Sequence, residues 1–157
     1  MSSKEDEFSK IQIGDYILDK EIGSGGFGKV LEGIHIPTGE KIAIKILDKK
    51  KLNSDPLALK RVFFEISILK NIRHKNIIKL YEVMETPQKI YLKYCKGGEL
   101  FNYIINKKHL TEIQSCKFFH ELIEALEYLH VQNIVHRDIK PQNILLDTLN
   151  NELTIKI

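Results

Sequence analysis

A glycine cluster between two strand-like stretches constrains the fold of this chain more than any other feature of its sequence. The glycines are Gly23, Gly25, Gly26 and Gly28, and residues 16–22 and 30–36 flank them. The apolar and β-branched content of both stretches is typical of β-strands, so the segment predicts a hairpin. After a turn at residues 37–39, residues 41–47 alternate closely enough to predict a third strand of the same antiparallel sheet.

The hairpin tip suggests a phosphate site. Residues 23–28 match G-x-G-x-x-G, a pattern that dinucleotide-binding folds share. In those folds a helix begins inside the pattern, whereas residues 29–36 continue as a strand, which disfavours a dinucleotide-dependent oxidoreductase. Glycines at a hairpin tip let backbone amides approach phosphate oxygens. A tight turn without a ligand is the alternative if the loop is considered alone.

The third strand strengthens the nucleotide interpretation. Ala43 and Lys45 share one face of it, so a small residue can lie against a flat base while the ammonium reaches toward phosphates, and Val30 completes this pocket. A lysine inside an apolar strand needs an anionic partner to offset desolvation. Glu65, on the apolar side of a predicted helix, is the candidate; a pair between Glu65 and Arg61 is the alternative.

The rest of the chain alternates between short strands and longer helices. Helical spacing of apolar residues predicts a helix over residues 57–72, preceded by a capping segment at residues 53–56. Residues 77–83 and 89–92 are strand candidates, and residues 99–106 form a short helix. Thr111 and Gln114 resemble a capping box that opens a longer helix with an apolar stripe along residues 118–129. Residues 134–135, 144–146 and 153–157 are short extended pieces around a loop.

Residues 136–143, with the sequence HRDIKPQN, are the most specific segment. For phosphoryl transfer, Asp138 would orient a hydroxyl and accept its proton, Lys140 would neutralise charge on the transferred group, and Asn143 would offer an oxygen to a metal. The alternative, in which Asp138 and Asn143 only cap turns, leaves Lys140 unexplained.

Composition adds mainly exclusions. The 157 residues carry 24 basic and 21 acidic side chains, and a net charge of +3 is too small to indicate nucleic-acid or membrane binding. Two cysteines without CxxC spacing indicate neither a disulfide scaffold nor a zinc site. No apolar run approaches the ~18 residues of a membrane span. We therefore expect a cytoplasmic location, with additional presence in the nucleus.

With these segments in this order, the sequence resembles a eukaryotic protein kinase domain from Gly23 through Ile157. Lys140 resembles the serine/threonine class, and residues 77–83 and 97–101 resemble the calcium/calmodulin-dependent and AMP-activated kinase group. The resemblance implies an α+β fold: a five-stranded antiparallel N-lobe with one main helix, plus a partial helical C-lobe. The implied bounds are a flexible leader at residues 1–14, an N-lobe at 15–93, and a hinge and incomplete C-lobe at 94–157.

The resemblance also implies ATP and magnesium as cofactors and protein serine or threonine as the substrate. It places the nucleotide against Ile22, Gly23, Ser24, Gly25, Gly26, Phe27, Gly28, Val30, Ala43, Lys45, Glu65, Tyr94, Cys95, Glu99 and Leu145. The catalytic residues would be Asp138, Lys140 and Asn143, with Asn143 as metal ligand. In this kinase group the residue that matches Glu99 contacts ribose or a basic substrate residue, so a preference for basic substrates is expected.

Two departures from the family pattern stand out. The connection at residues 92–95 is about two residues short, or roughly 6 to 7 Å, so either the strand loses pairing or adenine recognition by the backbone near residues 93–95 changes. The chain also ends at Ile157, just before the expected Asp-Phe-Gly segment. A catalytically inactive nucleotide-binding or interaction fragment is therefore the alternative function. We also expect weak stability or self-association through an exposed part of the stripe at residues 118–129.

Overall fold

A computed structural model of the chain describes residues 11–25, 28–55, 57–95, 98–149 and 151–157. The chain divides into two compact units, one of residues 1–67 and 80–96, the other of residues 68–79 and 97–157. The lobe bounds inferred from the sequence, residues 15–93 and 94–157, stay a prediction.

The first unit contains an antiparallel sheet. Its strands are β1 (Gln12–Ile13), β2 (Tyr16–Gly25), β3 (Gly28–His35), β4 (Lys41–Asp48), β5 (Leu80–Glu85) and β6 (Lys89–Cys95). They are hydrogen-bonded in the order β1-β2-β3-β4-β6-β5. The five predicted strands are present, and β1 is an addition: Gln12 and Ile13, assigned by sequence to the leader, pair with Ile17 and Tyr16. Their backbone gains ladder hydrogen bonds there, and Ile13 packs against the core.

The period-two pattern of β4 explains the core of this sheet. Ile42, Ile44 and Ile46 lie on one face and pack with the buried residues Tyr16, Leu18, Leu31 and Tyr91.

Two helices lie between β4 and β5 in the chain, α1 (Lys49–Leu52) and α2 (Ala58–Asn71). The helix predicted over residues 57–72 is thus confirmed to within a residue at each end. Asp55 Oδ1 accepts a hydrogen bond from the Leu57 amide at 2.9 Å near its start; Pro56 of the predicted cap lies outside the described residues.

The second unit combines helices with a small sheet. Its elements are β7 (Gly98–Glu99), α3 (Leu100–Lys107), α4 (Glu112–Val131), a 3-10 helix (Pro141–Asn143), β8 (Leu145–Leu149) and β9 (Glu152–Lys156). The predicted capping box is confirmed, since Thr111 Oγ1 accepts from the Gln114 amide and Gln114 Oε1 accepts from the Thr111 amide, both at 3.2 Å. Residues 134–135 form no strand, because their segment between α4 and the 3-10 helix has no ladder partner among the described residues.

The apolar stripe of α4 divides between two environments. Phe118 and Leu129 are buried in the core of the second unit, and Leu122 and Leu126 pack partly against it. Phe119 and Ile123, in contrast, are 65% and 47% exposed. Residues 118 and 119 point about 100° apart on a helix, so only one side of the stripe can face the core.

In the described part of the chain, every helix is too short or too polar to span a lipid bilayer.

Candidate functional site

The glycine segment forms the predicted hairpin. β2 runs to Gly25 and β3 starts at Gly28, with Gly23 opposite Val30 and Gly25 opposite Gly28. A dinucleotide-binding fold requires a helix that begins inside the glycine motif. Here the residues after the glycines form a strand that continues to His35. Two predicted site residues at the tip, Gly26 and Phe27, lie outside the described residues. On β2, the predicted site residues Ile22 and Ser24 are both exposed.

Gly28 and Gly23 differ in whether a side chain would fit at their position. A Cβ at Gly28 would lie 2.0 Å from the Ile46 carbonyl oxygen on β4. A Cβ at Gly23 would meet only the Val30 Cβ at 3.9 Å, an ordinary contact. Gly28 is therefore required by the pairing of β3 with β4, whereas Gly23 leaves room at the hairpin for a ligand to approach the backbone.

Val30, Ala43 and Lys45 share one face of the sheet, as the alternation predicts. Lys45 is opposite Val30 on β3 and opposite Leu92 on β6. Ala43 and Leu92 are buried, and the Lys45 side chain is half-buried. This face thus combines apolar side chains with the Lys45 cation, an arrangement that suits a base and its phosphates. It also holds the buried Glu32 carboxylate, which is opposite Ala43 and lies 3.2 Å from Lys41 Nζ. The role of these residues in nucleotide binding stays a prediction.

The expected ion pair between Lys45 and Glu65 is not formed. Glu65 is exposed on α2, and no ion pair among the described residues joins it to Lys45. The alternative partner Arg61 instead places Nη1 3.5 Å from Asp55 Oδ2. The pair was expected because a lysine inside an apolar strand would be desolvated, but the Lys45 side chain is only half-buried and the Glu65 carboxylate stays hydrated, so that cost is smaller than expected. A contribution of Glu65 to the nucleotide site stays a prediction.

The short connection at residues 92–95 does not interrupt the sheet. β6 pairs continuously with β4 from Lys89 opposite Asp48 to Cys95 opposite Ile42. The strand therefore keeps its pairing with β4, and the first of the two consequences considered above is not observed. The side chains of Tyr94 and Cys95 lie outside the part of the chain that the structure describes.

In the second unit, Asp138, Lys140 and Asn143 meet in the loop between α4 and β8. Lys140 Nζ lies 3.0 Å from Asp138 Oδ2. Asn143 Nδ2 donates to Asp138 Oδ2 at 2.6 Å and to the Asp138 carbonyl oxygen at 2.9 Å. The hydrogen bond from Lys140, followed by that from Asn143, lowers the pKa of Asp138 below its ordinary value. The exposed carboxylate is thereby held in its ionised form, the form that can accept a hydrogen bond from a substrate hydroxyl.

The backbone of this loop is fixed by local contacts. His136 Nδ1 accepts a hydrogen bond from the Asp138 amide at 3.3 Å. Arg137, between them, has a φ of 69°, a left-handed conformation that non-glycine residues rarely adopt. Such a conformation turns the chain sharply, so that Asp138 faces Lys140 and Asn143.

Asn143 has the chemistry of a magnesium ligand. Its Nδ2 is engaged by Asp138, which leaves Oδ1 to coordinate. Magnesium prefers oxygen donors and keeps several of its waters, so a carboxamide and a nearby carboxylate fit it. Within the described residues, no group of three or more His, Cys, Asp or Glu side chains could hold a metal.

Glu99 and Leu145 are distant in sequence and adjacent in the structure. They are paired across β7 and β8. Glu99 Oε2 accepts a hydrogen bond from Asn102 Nδ2 at 3.1 Å. Asn76 was not predicted from the sequence patterns; it is fully buried, and its side chain supports β9 through hydrogen bonds to Thr154 and Ile155. An asparagine followed by an apolar run was the available signal.

Comparison with known proteins is consistent with this loop and hairpin. The protein kinase domain family matches residues 16–157. Maternal embryonic leucine zipper kinase is 51% identical over 138 residues in Danio rerio and 49% over 138 residues in Xenopus tropicalis, covering 87% of this chain in each case. SNF1-like protein kinase ssp2 of Schizosaccharomyces pombe is 46% identical over 151 residues, or 95% of this chain.

The matched region is a part of each relative. It covers 20% of the Danio rerio protein, 21% of the Xenopus tropicalis protein and 25% of the Schizosaccharomyces pombe protein. The family match nevertheless includes the hairpin, the Lys45 strand and the Asp138 loop in the order that the sequence predicts, so the resemblance to a protein kinase is confirmed. This chain belongs to the protein kinase domain family.

Proposed function

We propose that this chain forms the ATP-binding and catalytic-loop part of a serine/threonine protein kinase, which transfers the ATP γ-phosphoryl group to protein hydroxyls. The observation that carries the proposal is the convergence of Lys140 and Asn143 on the Asp138 carboxylate, at 3.0 and 2.6 Å. An ionised carboxylate beside a cation and a carboxamide is what transfer to a hydroxyl requires.

Each loop residue has a separate role. Asp138 orients the substrate hydroxyl and accepts its proton, Lys140 places positive charge beside the reacting oxygens, and Asn143 Oδ1 holds a metal. When bound, magnesium and ATP supply the charge neutralisation and the phosphoryl group. In the other unit, Lys45 would contact the phosphates, and the face with Val30 and Ala43 would receive the base.

Substrate class is tested with peptide libraries in which serine, threonine or tyrosine is the only hydroxyl residue. We expect the full-length protein, with magnesium and γ-labelled ATP, to label serine and threonine peptides and to favour those with arginine or lysine near the acceptor. The Glu99 carboxylate would attract such residues, because opposite charges steer peptide binding. A matched reaction with excess chelator is the control. Labelling of tyrosine alone would contradict the substrate class, and indifference to basic residues would refute the role of Glu99.

A catalytically inactive nucleotide-binding module is the second candidate. It is favoured by the exposed position of Glu65 and the lack of an ion pair between Glu65 and Lys45 within the described residues. An active kinase uses a lysine–glutamate pair of this kind to place the phosphates. Nucleotide binding without phosphate transfer to any library would support this candidate.

We further propose a cytoplasmic location, with additional presence in the nucleus, and self-association through the exposed side of α4. Phe119 and Ile123 are exposed there, and an open depression of about 520 Å³ is lined by Ile123, Leu126, Glu127, His130 and Val131. Apolar surface of this kind favours association in water. Sedimentation of a single monomeric species at all concentrations would contradict it.

A further inference from the structure

The loop of residues 72–79, between α2 and β5, holds the end of β9. The Ile157 amide donates to the Asn76 carbonyl oxygen at 3.0 Å, and the Ile78 amide donates to the Ile157 carbonyl oxygen at 2.8 Å. The fully buried Asn76 side chain adds hydrogen bonds from Nδ2 to Thr154 Oγ1 at 3.1 Å and to the Ile155 carbonyl oxygen at 2.9 Å. The loop therefore hydrogen-bonds to the end of β9 as a neighbouring strand would. β9 also pairs with β8, which follows the Asp138 loop.

His74 joins this loop to α4. Its Nδ1 accepts a hydrogen bond from the Asn76 amide at 3.1 Å. Its ring stacks on Tyr128 of α4, with centroids 5.1 Å apart and planes 28° apart. The Tyr128 hydroxyl also accepts from the Arg73 amide at 3.1 Å. Because an imidazole nitrogen that accepts a hydrogen bond carries no proton, this geometry requires the neutral ring.

The charges around His74 also oppose a proton on the ring. Lys75 on the same loop and Lys156 on β9 are both cations near it, and Lys156 Nζ donates to the Lys75 carbonyl oxygen at 2.8 Å. Glu124 of α4 is the nearby anion, but it is already paired with Lys75 Nζ at 2.8 Å, and His120 Nδ1 lies 3.7 Å from its other oxygen. Burial first, and then Lys75 and Lys156, lower the pKa of His74, while Glu124 acts in the opposite direction.

We propose that His74 is a pH-sensitive lock, whose neutral ring holds the loop of residues 72–79 against α4 and β9 and whose protonation releases it. A protonated Nδ1 would direct its hydrogen at the Asn76 N–H, so two donors would face each other. The loop would then lose its anchor, and the strand that supports the catalytic-loop region would loosen.

The direction of the pH effect follows from the lowered pKa of His74. The unfolded chain takes up this proton near pH 6.5 and the folded chain only at lower pH. The contribution of His74 to stability is therefore complete above about pH 6.5 and is lost as the pH falls from there through the lowered pKa of the folded state.

Hydrogen exchange of the full chain, followed by mass spectrometry at pH 7.5 and pH 5.5, tests the lock. After correction for the intrinsic pH dependence of exchange, we expect protection of residues 72–79 and 152–157 to fall about tenfold at the lower pH, the scale of one lost hydrogen bond. His74→Asn keeps an acceptor for the Asn76 amide and does not titrate, so it should show no such fall. His109→Asn, at an exposed position, is the matched control and should behave like the original chain.

Equal protection of the original chain at both pH values would overturn the proposal, as would an undiminished fall in His74→Asn. If that variant does not fold, an NMR titration of the His74 ring in the original chain decides: a pKa below that of free histidine supports the lock, and a raised pKa contradicts it.

Discussion

Replacing Asp138 with asparagine is expected to lower the rate of phosphoryl transfer by about 10²- to 10⁴-fold, the usual contribution of a positioned proton acceptor. The substitution preserves shape but removes the group that accepts the hydroxyl proton, and it weakens the contact with Lys140 at 3.0 Å. Asp138 is exposed, so stability and nucleotide affinity should change little. Initial rates of ADP formation by the full-length protein, with saturating peptide, measure the effect.

Asp147→Asn is the matched control for this substitution. Asp147 lies on β8 in the same unit, and its Oδ2 is 3.5 Å from Lys156 Nζ. The control should keep most of the transfer rate. A rate for Asp138→Asn within about threefold of the control would mean that Asp138 is not the proton acceptor. Since the pKa of Asp138 is lowered, the carboxylate stays ionised even at pH values where an ordinary aspartate begins to take up a proton. A loss of activity between pH 7 and pH 5 should therefore not come from this residue.

Replacing Gly28 with alanine is expected to destabilise the sheet by about 1–3 kcal/mol or more, as overpacking does. The added Cβ would lie 2.0 Å from the Ile46 carbonyl oxygen and 2.9 Å from its carbonyl carbon, which are backbone atoms held in the ladder with β3. They cannot move away without loss of strand pairing. Urea unfolding, followed by far-UV circular dichroism, measures the change in free energy of unfolding.

Gly23→Ala provides the comparison for this prediction. Its Cβ would have 3.9 Å to the nearest atom, so we expect a change of no more than about 0.5 kcal/mol, as at other unobstructed sites. Equal destabilisation by the two substitutions would show that Gly28 is not required by its contact with β4.

Local patterns were enough to predict the elements whose causes are local. The hairpin at residues 23–28, the strand with Lys45 and the capping box of Thr111 and Gln114 depend on neighbours within a few residues, and the structure contains all three. β1 is different, because two residues become a strand only when a partner strand is present. Its formation depends on pairing with β2, and the sequence of residues 12–13 alone does not indicate that pairing.

Contacts between distant residues account for the rest. Asn76 meets Thr154 and Ile155 across 78 and 79 positions, and no spacing rule connects them. For Glu65, a local pattern predicted a burial that the structure does not contain. Helical spacing placed it on an apolar side of α2, but the buried residues of α2 are Ala58 and Ile66, so the carboxylate remains in water. Periodicity gives the direction of a side chain around its helix, whereas burial also depends on what packs there.

Lys45 is proposed to lie beside the phosphates of a bound nucleotide, and an ATP analogue with a reactive acyl group on its terminal phosphate tests this most directly. Such a probe acylates lysines beside the phosphates, and mass spectrometry identifies them. We expect Lys45 to be labelled and to be protected by excess ATP with magnesium, while the exposed Lys50 and Lys107 react weakly and without protection. Labelling of Lys45 no stronger than that of Lys50 and Lys107, and unaffected by ATP, would contradict a nucleotide site on this face of the sheet.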